Sequence, residues 1–277
     1  MRVFPNAKIN IGLNITEKRP DGYHNIETVF YPVSLSDELT INIMSKSLLT
    51  ADQSDYSFLL SGMNIHEDPE KNLVIKAYRL LQKEFELDPI DVSLKKNIPF
   101  GAGLGGGSSD AAFMLSALNQ LFDLKLSYDR LEIFAAKLGA DCPVFIKNKV
   151  VFAEGIGDVF TPVDFSLKGY SLMLVKPDIF IPTPEAYASI KPQKPQHLLL
   201  DAIRKPVLDW KSFITNDFEV SVFKKYPEIE LIKQQLYEEG ALYASMSGSG
   251  SSVYGIFDHL PDVPKNFEKY FTYVDSF

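Results

Sequence analysis

The stretch PFGAGLGGGSSDAA, Pro99 to Ala112, places five of the chain's sixteen glycines within seven residues, then runs into two serines, an aspartate and a helix-like segment. Backbone without side chains lets consecutive N–H groups approach an anion closely, and a helix that follows adds roughly half a positive charge at its N-terminus. Ser108 and Ser109 are residue types that cap such a helix and that can also offer hydroxyls to a phosphate. A phosphate cradle is one reading, and a plain flexible loop is another. A dinucleotide-binding turn is a third, because Gly101-x-Gly103-x-x-Gly106 satisfies GxGxxG. That fingerprint follows a strand directly, whereas Pro99 intervenes here. The acid it needs about 20 residues further on would be Asp123, at a helix end rather than a strand end. No GxxxxGK[ST] occurs, so a kinase built on this stretch must use backbone and metal where others use a P-loop lysine.

Other residues carry chemistry of a different kind. Asp141, in LGADCPVF, is a carboxylate that can accept the proton of an attacking hydroxyl. It equally suits a helix N-cap, with Pro143 at the first helical position. Lys8 and Asn10 lie two residues apart on an alternating segment, so both side chains can point into one cleft; alone, Lys8 reads as a solvated strand lysine. Tyr23 and His24 follow a tight turn and read either as a surface aromatic pair or as a pair that meets a ring. Asp110 would repel phosphates unless it faces away or a metal intervenes. Cys142 reads as a small buried residue rather than a nucleophile.

The elements that position these groups follow from periodicity. AKINIGLNIT alternates, with Ala7, Ile9, Ile11, Leu13 and Ile15 on one face and Lys8, Asn10, Gly12 and Asn14 on the other, which predicts a half-buried strand. Pro20-Asp21-Gly22 is a turn, since proline presets φ and glycine accepts a positive one. Strands are expected at ELTINIMS and IDVSLKKNI. Between them Asn72 caps a helix through LVIKAYRLLQKEFEL. A helix is expected from about Asp110 to Phe122. Another should be capped by Ser127 and ended by Gly139 at C′. VVFAEGIGD reads as a strand and glycine turn, and marks a boundary between a domain over 1–157 and one over 158–277. The second part carries a strand at YSLMLVKP, the proline-punctuated KPDIFIPTPEAY, a surface loop at KPQKPQ, a helix at PEIELIKQQLYEEG stopped by Gly240, and strand–loop–strand at ALYASMSGSGSSVYGIF. The last loop, with Gly248, Ser249 and Gly250, has the plain reading of a hairpin connection.

Composition bounds the rest. The chain has 277 residues, 45% hydrophobic and 23% charged, enough for a core without disulfide or metal support. The net charge of −8 disfavours non-specific nucleic-acid binding but leaves room for an anionic small molecule in a local pocket. One cysteine permits no intrachain disulfide and suits a reducing compartment. His24, His66, His197 and His259 are scattered without zinc-site spacing. No apolar leader or run of ~18 apolar residues occurs, so a cytoplasmic protein that does not span a membrane is expected.

PFGAGLGGGSSDAA closely resembles the phosphate-binding motif of the GHMP kinases, the superfamily of galactose, homoserine, mevalonate and phosphomevalonate kinases. AKINIGLNI with RPDGYHNIETVF resembles its N-terminal motif, and SMSGSGSSVYGIF its C-terminal glycine motif, in the family's order. LGADCPVF and IPTPEAY narrow the resemblance to the branch that phosphorylates a cytidine diphosphate conjugate of methylerythritol. The likeness runs from Ala7 to Phe257. It implies an α+β, two-lobed fold, with an N-terminal domain similar to the second domain of ribosomal protein S5 and a ferredoxin-like C-terminal domain. It implies ATP as co-substrate with Mg2+, and transfer to the substrate's 2-hydroxyl. Asp141 and Lys8 would be catalytic. Pro99, Gly101, Gly103, Leu104, Gly105, Gly106, Gly107, Ser108 and Ser109 would form the ATP phosphate loop, with Lys96 and Asn72 near the adenine. Asn10 would help hold the substrate, Tyr23 and Tyr187 would sandwich its cytosine, and His24 would hydrogen-bond the base. Thr183 belongs to the same substrate set, and Gly248, Ser249 and Gly250 would close over the site. Another small-molecule GHMP kinase, such as a homoserine or mevalonate kinase, a nucleotide-binding protein without catalysis, and a dehydrogenase remain the alternatives.

Overall fold

The structure is a computed structural model that describes residues 1–44, 55–63, 68–188 and 190–277; His66 lies outside the described residues. In chain order the strands are β1 (Arg2–Val3), β2 (Asn6–Lys18), β3 (His24–Ser36), β4 (Glu38–Ile43), β5 (Tyr56–Gly62), β6 (Ile90–Lys96), β7 (Val151–Glu154), β8 (Val159–Pro162), β9 (Ser171–Lys176), β10 (Tyr243–Met246), β11 (Val253–Phe257) and β12 (Phe271–Ser276). The helices are α1 (Leu73–Gln82), α2 (Gly106–Leu121), α3 (Tyr128–Ala136), α4 (Val144–Lys147), α5 (Thr183–Tyr187), α6 (Leu199–Ala202), α7 (Phe218–Lys225) and α8 (Pro227–Glu238). The chain forms two compact units, each gathered from separated stretches. One comprises Met1–Ala7, Leu35–Phe100 and Gly105–Asn148; the other comprises Lys8–Ser34, Gly101–Leu104 and Lys149–Phe277.

In the first unit four strands run in the order β1-β4-β6-β5. β5 pairs parallel to β6, which requires a crossover, and α1 supplies it. Alternate residues Leu39, Ile41, Val92 and Leu94 of this sheet are buried, as are Val74, Ala77, Tyr78 and Leu81 of α1. α2 packs on α1, α3 and α4. Its buried face includes the small residues Ala111, Ala112 and Ala117, which let neighbouring helices come close. Asn72 and Ser127 cap α1 and α3 as expected, accepting from Val74 N at 2.9 Å and Arg130 N at 3.3 Å.

Three boundaries differ from expectation. α1 stops at Gln82, short of Leu87: Glu84 and Phe85 N–H both turn back to the Leu81 carbonyl, which brings Phe85 against Phe134, and Pro89 then holds Asp88 out of helical geometry. α2 starts four residues before Asp110, so Ser108 and Ser109 lie inside the first turn. The cap is Gly105, in a left-handed conformation with no side-chain bond. α3 ends at Ala136, and Gly139 is not among the glycines of positive φ. It serves packing instead, since a Cβ there would lie 3.2 Å from the Cys142 sulfur.

The second unit holds two four-stranded sheets, β2-β3-β7-β8 and β10-β11-β9-β12. The latter is antiparallel throughout, and α8 packs across β10 and β11. Their core gathers Met173, Val175, Phe218, Ile229, Ile232, Leu236, Met246, Val253 and Phe257. β2 is not half-buried: its polar residues Lys8, Asn10 and Asn14 are covered as well. Glu219 ties three elements together, accepting from Lys233 Nζ of α8 at 2.6 Å and from Met246 N of β10 at 2.8 Å while riding on α7.

Removing Glu219 strands a buried N–H and an ammonium. Glu219→Ala should lower unfolding free energy by ~2–4 kcal/mol in urea titrations. Glu219→Gln should cost less, because its amide oxygen can still accept from Met246. A loss below about 0.5 kcal/mol in the alanine variant, the range of an ordinary surface change, would contradict this role.

Candidate active site

In the second unit the strand period brings Lys8 and Asn10 side by side. Lys8 Nζ donates to Asn10 Oδ1 at 2.6 Å and to the Gly103 carbonyl at 3.3 Å, and it lies 4.8 Å from the centroid of Phe30. Asn10 Nδ2 donates to Thr28 Oγ1 at 3.0 Å, and that hydroxyl passes its own proton to the Gly12 carbonyl. Both ends of the Asn10 carboxamide are therefore occupied within the protein, and one of them orients the lysine. Lys8 is 4% exposed, so its charge is held in place rather than solvated, and a fixed cation of this kind can stabilise charge that develops in a reaction.

The two glycine loops interlock in the same unit. Lys8 N pairs with the Leu104 carbonyl at 3.0 Å, which fastens Gly101–Leu104 to β2. Ser247 Oγ donates to the Gly103 carbonyl at 2.8 Å and accepts from Asn10 N at 3.2 Å. Ser252 N reaches the Ala102 carbonyl at 3.3 Å. A Cβ on Gly103 would sit 2.0 Å from the Ser247 carbonyl oxygen, and φ there is +74°. On Gly101 it would sit 2.5 Å from the Phe180 ring. Gly248 faces Asn10 Oδ1 and the Gly103 carbonyl. The turn between β10 and β11 is thus a hairpin connection in form, but its backbone is also a wall of the Gly101–Leu104 stretch. Ser249 is the more exposed residue of this turn and Gly250 is buried.

The rest of the stretch belongs to the first unit. Ser109 N makes the first helical bond of α2, to Gly105 O at 2.9 Å. The N–H groups of Gly106, Gly107 and Ser108 are the ones that a helix cannot satisfy internally. Gly106 is bare for a packing reason, since its Cβ would lie 2.9 Å from Ile98 Cγ2 and 3.5 Å from Lys96 Nζ. Gly107 has room, with Leu73 Cδ1 at 3.7 Å. Pro99 and Leu104 are buried. The Lys96 ammonium is occupied: it donates to Asp110 Oδ2 at 2.5 Å and to Asp37 Oδ2. Burial lowers its affinity for the proton, but the two carboxylates outweigh this and hold it above the ordinary lysine range. Asp110 therefore faces inward, toward Lys96. Asn72 accepts as the cap of α1.

Asp141 does not cap α4. Pro143 occupies that position, in helical geometry, and Asp141 sits in the turn before it, closed by Cys142 N to the Gly139 carbonyl at 3.2 Å. The turn lies against the start of α2, since a Cβ on Gly139 would stand 3.2 Å from the Cys142 sulfur and 4.0 Å from Ser108 Oγ. Burial first, and the Asp141 charge, push the Cys142 thiol up to about 11. It stays a neutral thiol at physiological pH, as a packed residue and not a nucleophile.

Tyr23 is 62% exposed and follows Gly22, whose φ is +89°. His24 opens β3 and its ring lies on Tyr187, centroids 4.8 Å apart and planes 18° from parallel. Tyr187 also packs perpendicular to Phe218, with centroids 4.8 Å apart. Burial, with Lys18 nearby, holds the His24 imidazole below its ordinary range, which keeps it neutral near pH 7 and able both to donate and to accept. Thr183 is exposed at the first residue of α5.

Two positioning residues were missed by sequence reasoning. Asn216, 2% exposed, donates to the carbonyls of Met246 and Gly248, both at 2.8 Å, and accepts from Phe218 N. Asp37 accepts from Asn97 N at 2.6 Å and Ile98 N at 2.8 Å. An Asn-Asp pair ahead of a helix was the only local signal for the first; nothing local marks the second.

Family models match the chain over residues 72–149, as GHMP kinases N terminal domain, and over residues 199–270, as GHMP kinases C terminal. A 4-diphosphocytidyl-2-C-methyl-D-erythritol kinase of Bacteroides fragilis is 58% identical, over 99% of this chain and 98% of its own. The protein of that name from Cytophaga hutchinsonii is 45% identical, over 94% and 93%. A crystal structure of 4-(cytidine 5'-diphospho)-2C-methyl-D-erythritol kinase superposes with a TM-score of 0.76 at 30% identity, covering 92% of this chain and 90% of that one.

Asn216→Ala would take a donor from the Gly248 and Met246 carbonyls, the latter keeping Ser245 Oγ, and the acceptor from Phe218 N. Urea unfolding should show a loss of ~2–3 kcal/mol, and kcat/KM should fall in the folded variant because the Gly248 turn loses its anchor. Unchanged kcat/KM would mean that the turn holds its shape without Asn216.

Proposed function

The chain belongs to the GHMP kinases, and on that premise we propose that it transfers the γ-phosphoryl group of ATP to the 2-hydroxyl of 4-diphosphocytidyl-2-C-methyl-D-erythritol, a step of non-mevalonate isoprenoid precursor synthesis. The observation that carries this reading is the full-length likeness to kinases of that name. The site residues add a chemical rationale.

The nucleotide phosphates would lie over the start of α2, on the N–H groups of Gly106, Gly107 and Ser108, with Pro99, Gly101, Gly103, Leu104, Gly105 and Ser109 shaping the stretch around them. Asn72 and Lys96 lie on elements flanking it and would border the nucleoside. Asp141 would accept the proton of the substrate hydroxyl as it attacks, a role worth ~100-fold or more in rate. Lys8, held by Asn10 and the Gly103 carbonyl, would stabilise charge on the transferring group. Mg2+ is proposed to accompany ATP. Among the described residues no group of three or more His, Cys, Asp or Glu could hold such an ion. Mg2+ commonly takes only one or two protein carboxylates beside phosphate oxygens and water, so the triphosphate would supply most of its ligands. When bound it would offset charge on the phosphates.

For the base, Tyr23 offers an exposed stacking face and His24 a neutral imidazole that Tyr187 backs. Thr183 and the Gly248–Ser249–Gly250 turn complete the proposed substrate set. The N-terminal domain would comprise residues 1–157 and the C-terminal domain 158–277. Among the described residues no helix is long and apolar enough to cross a membrane. The free, buried thiol of Cys142 supports a reducing cytoplasm.

An ADP-release assay across the diphosphocytidyl substrate, homoserine and mevalonate tests the assignment. Turnover should be confined to the first, and Asp141→Asn should lower kcat by ~100-fold or more while ATP still binds. Preference for homoserine or mevalonate would overturn the substrate, and near-normal kcat in Asp141→Asn would overturn the base.

A further inference from the structure

One ammonium, Lys96, is shared between two carboxylates in the first unit, and all three groups are buried: Lys96 is 6% exposed, Asp37 0% and Asp110 3%. The two acids are not equivalent. Asp37 Oδ1 accepts from two backbone N–H groups, Asn97 and Ile98, and its Oδ2 accepts from Lys96. Three donors suit an ionised carboxylate. Asp110 Oδ2 accepts from Lys96, but Oδ1 is buried with no hydrogen-bond partner. A full charge on an oxygen so placed is costly, and a proton removes it. With both acids ionised the cluster carries one net negative charge; with Asp110 protonated it is neutral.

This cluster fastens both ends of the segment that leads into α2. Asp37 holds the backbone just after β6, and Lys96 reaches from β6 to Asp110, one turn into α2. Among the described residues, Lys96 and Asp37 are the charged groups set against Asp110 from other elements. α2 carries no other charged residue, and Cys142, against the neighbouring Ser108, is a neutral thiol.

We propose that Asp110 is a positioning residue for the phosphate-binding start of α2, and that its carboxyl takes up a proton from solvent when a nucleotide triphosphate binds. The proposal rests on the reading that the start of α2 holds the ATP phosphates. A polyanion over the first turn raises the cost of the net negative charge beneath it, so binding and protonation favour each other, as linkage requires. Burial pushes the Asp110 carboxyl up, Lys96 pulls it down and Asp37 pushes it up again, with a net shift upward toward the neutral range. ATP affinity should therefore be greatest below pH 7 and weaken above it, until the carboxyl also ionises in the complex.

The test has two arms. KM for MgATP is measured by ADP release from pH 6 to 8.5, a range in which MgATP keeps one ionisation state. Binding of a non-hydrolysable ATP analogue with Mg2+ is measured by calorimetry at pH 7 in two buffers of different ionisation enthalpy. In the wild type, KM should rise roughly fivefold or more across the range, and the binding heat should differ between buffers by the uptake of a fraction of a proton. In Asp110→Asn, whose neutral amide imitates the protonated acid, KM should stay flat near the wild-type value at pH 6 and the buffer difference should vanish. A flat wild-type KM, no proton uptake, or an Asp110→Asn variant that keeps both the slope and the uptake would overturn the proposal. If that variant does not fold, the wild-type calorimetry decides alone. Absence of any nucleotide heat or ADP release at every pH would instead overturn the kinase reading beneath it.

Discussion

The Gly103 carbonyl accepts from the Lys8 ammonium and from the Ser247 hydroxyl, and the approach that allows both leaves no space for a side chain, since a Cβ on Gly103 would stand 2.0 Å from the Ser247 oxygen. Lys8 is oriented by this oxygen and by Asn10. Asn10 in turn is held by Thr28, by Ser247 through its N–H, and by Tyr254, whose hydroxyl donates to the Asn10 carbonyl at 2.8 Å. Three segments far apart in sequence thus fix one cation. Buried polar networks of this kind are stable only when nearly every member is satisfied, and that explains why the polar face of β2 can be covered.

Much of this was legible in the amino-acid pattern, and the failures have physical causes. Alternation found β2 and put Lys8 and Asn10 on one face, but it could not say that the polar face is buried, because its cover comes from Gly103 and Ser247. The loop between β10 and β11 was recognised from small residues, and α8 from its periodicity and terminal glycine. Local rules misplaced the serines of α2, because its cap is a left-handed glycine rather than a side chain. They misread Gly139, whose missing side chain serves a contact with Cys142. Asp141 looked like a cap because Pro143 follows, yet the proline itself occupies that position. The contact of His24 with Tyr187 was not legible, since spacing along the chain cannot show which rings meet. Asp37 and Asn216 bond to backbone groups about 30 to 60 residues away, and no window of sequence contains that information.

Charge explains why the backbone matters so much here. The chain carries a net −8, and Lys96, set against Gly106 at the start of α2, is consumed by two carboxylates. A triphosphate there would depend on N–H groups and the helix dipole rather than on an ammonium from Lys96. This is the physical counterpart of lacking a P-loop lysine. It also accounts for the one glycine of the stretch that the fold itself does not need. Gly107 is helical and has room for a methyl group, so on stability alone alanine would be favoured by ~0.5–1 kcal/mol. Close approach of a ligand to the backbone is the remaining reason for it to be bare.

That point admits a direct measurement: thermal unfolding of Gly107→Ala together with calorimetric titration of a non-hydrolysable ATP analogue. If backbone N–H groups hold the phosphates, the variant is at least as stable as the wild type and binds the analogue about tenfold more weakly or worse, a difference of ~1.4 kcal/mol. Unchanged affinity in an equally stable variant would contradict the cradle and place the triphosphate elsewhere.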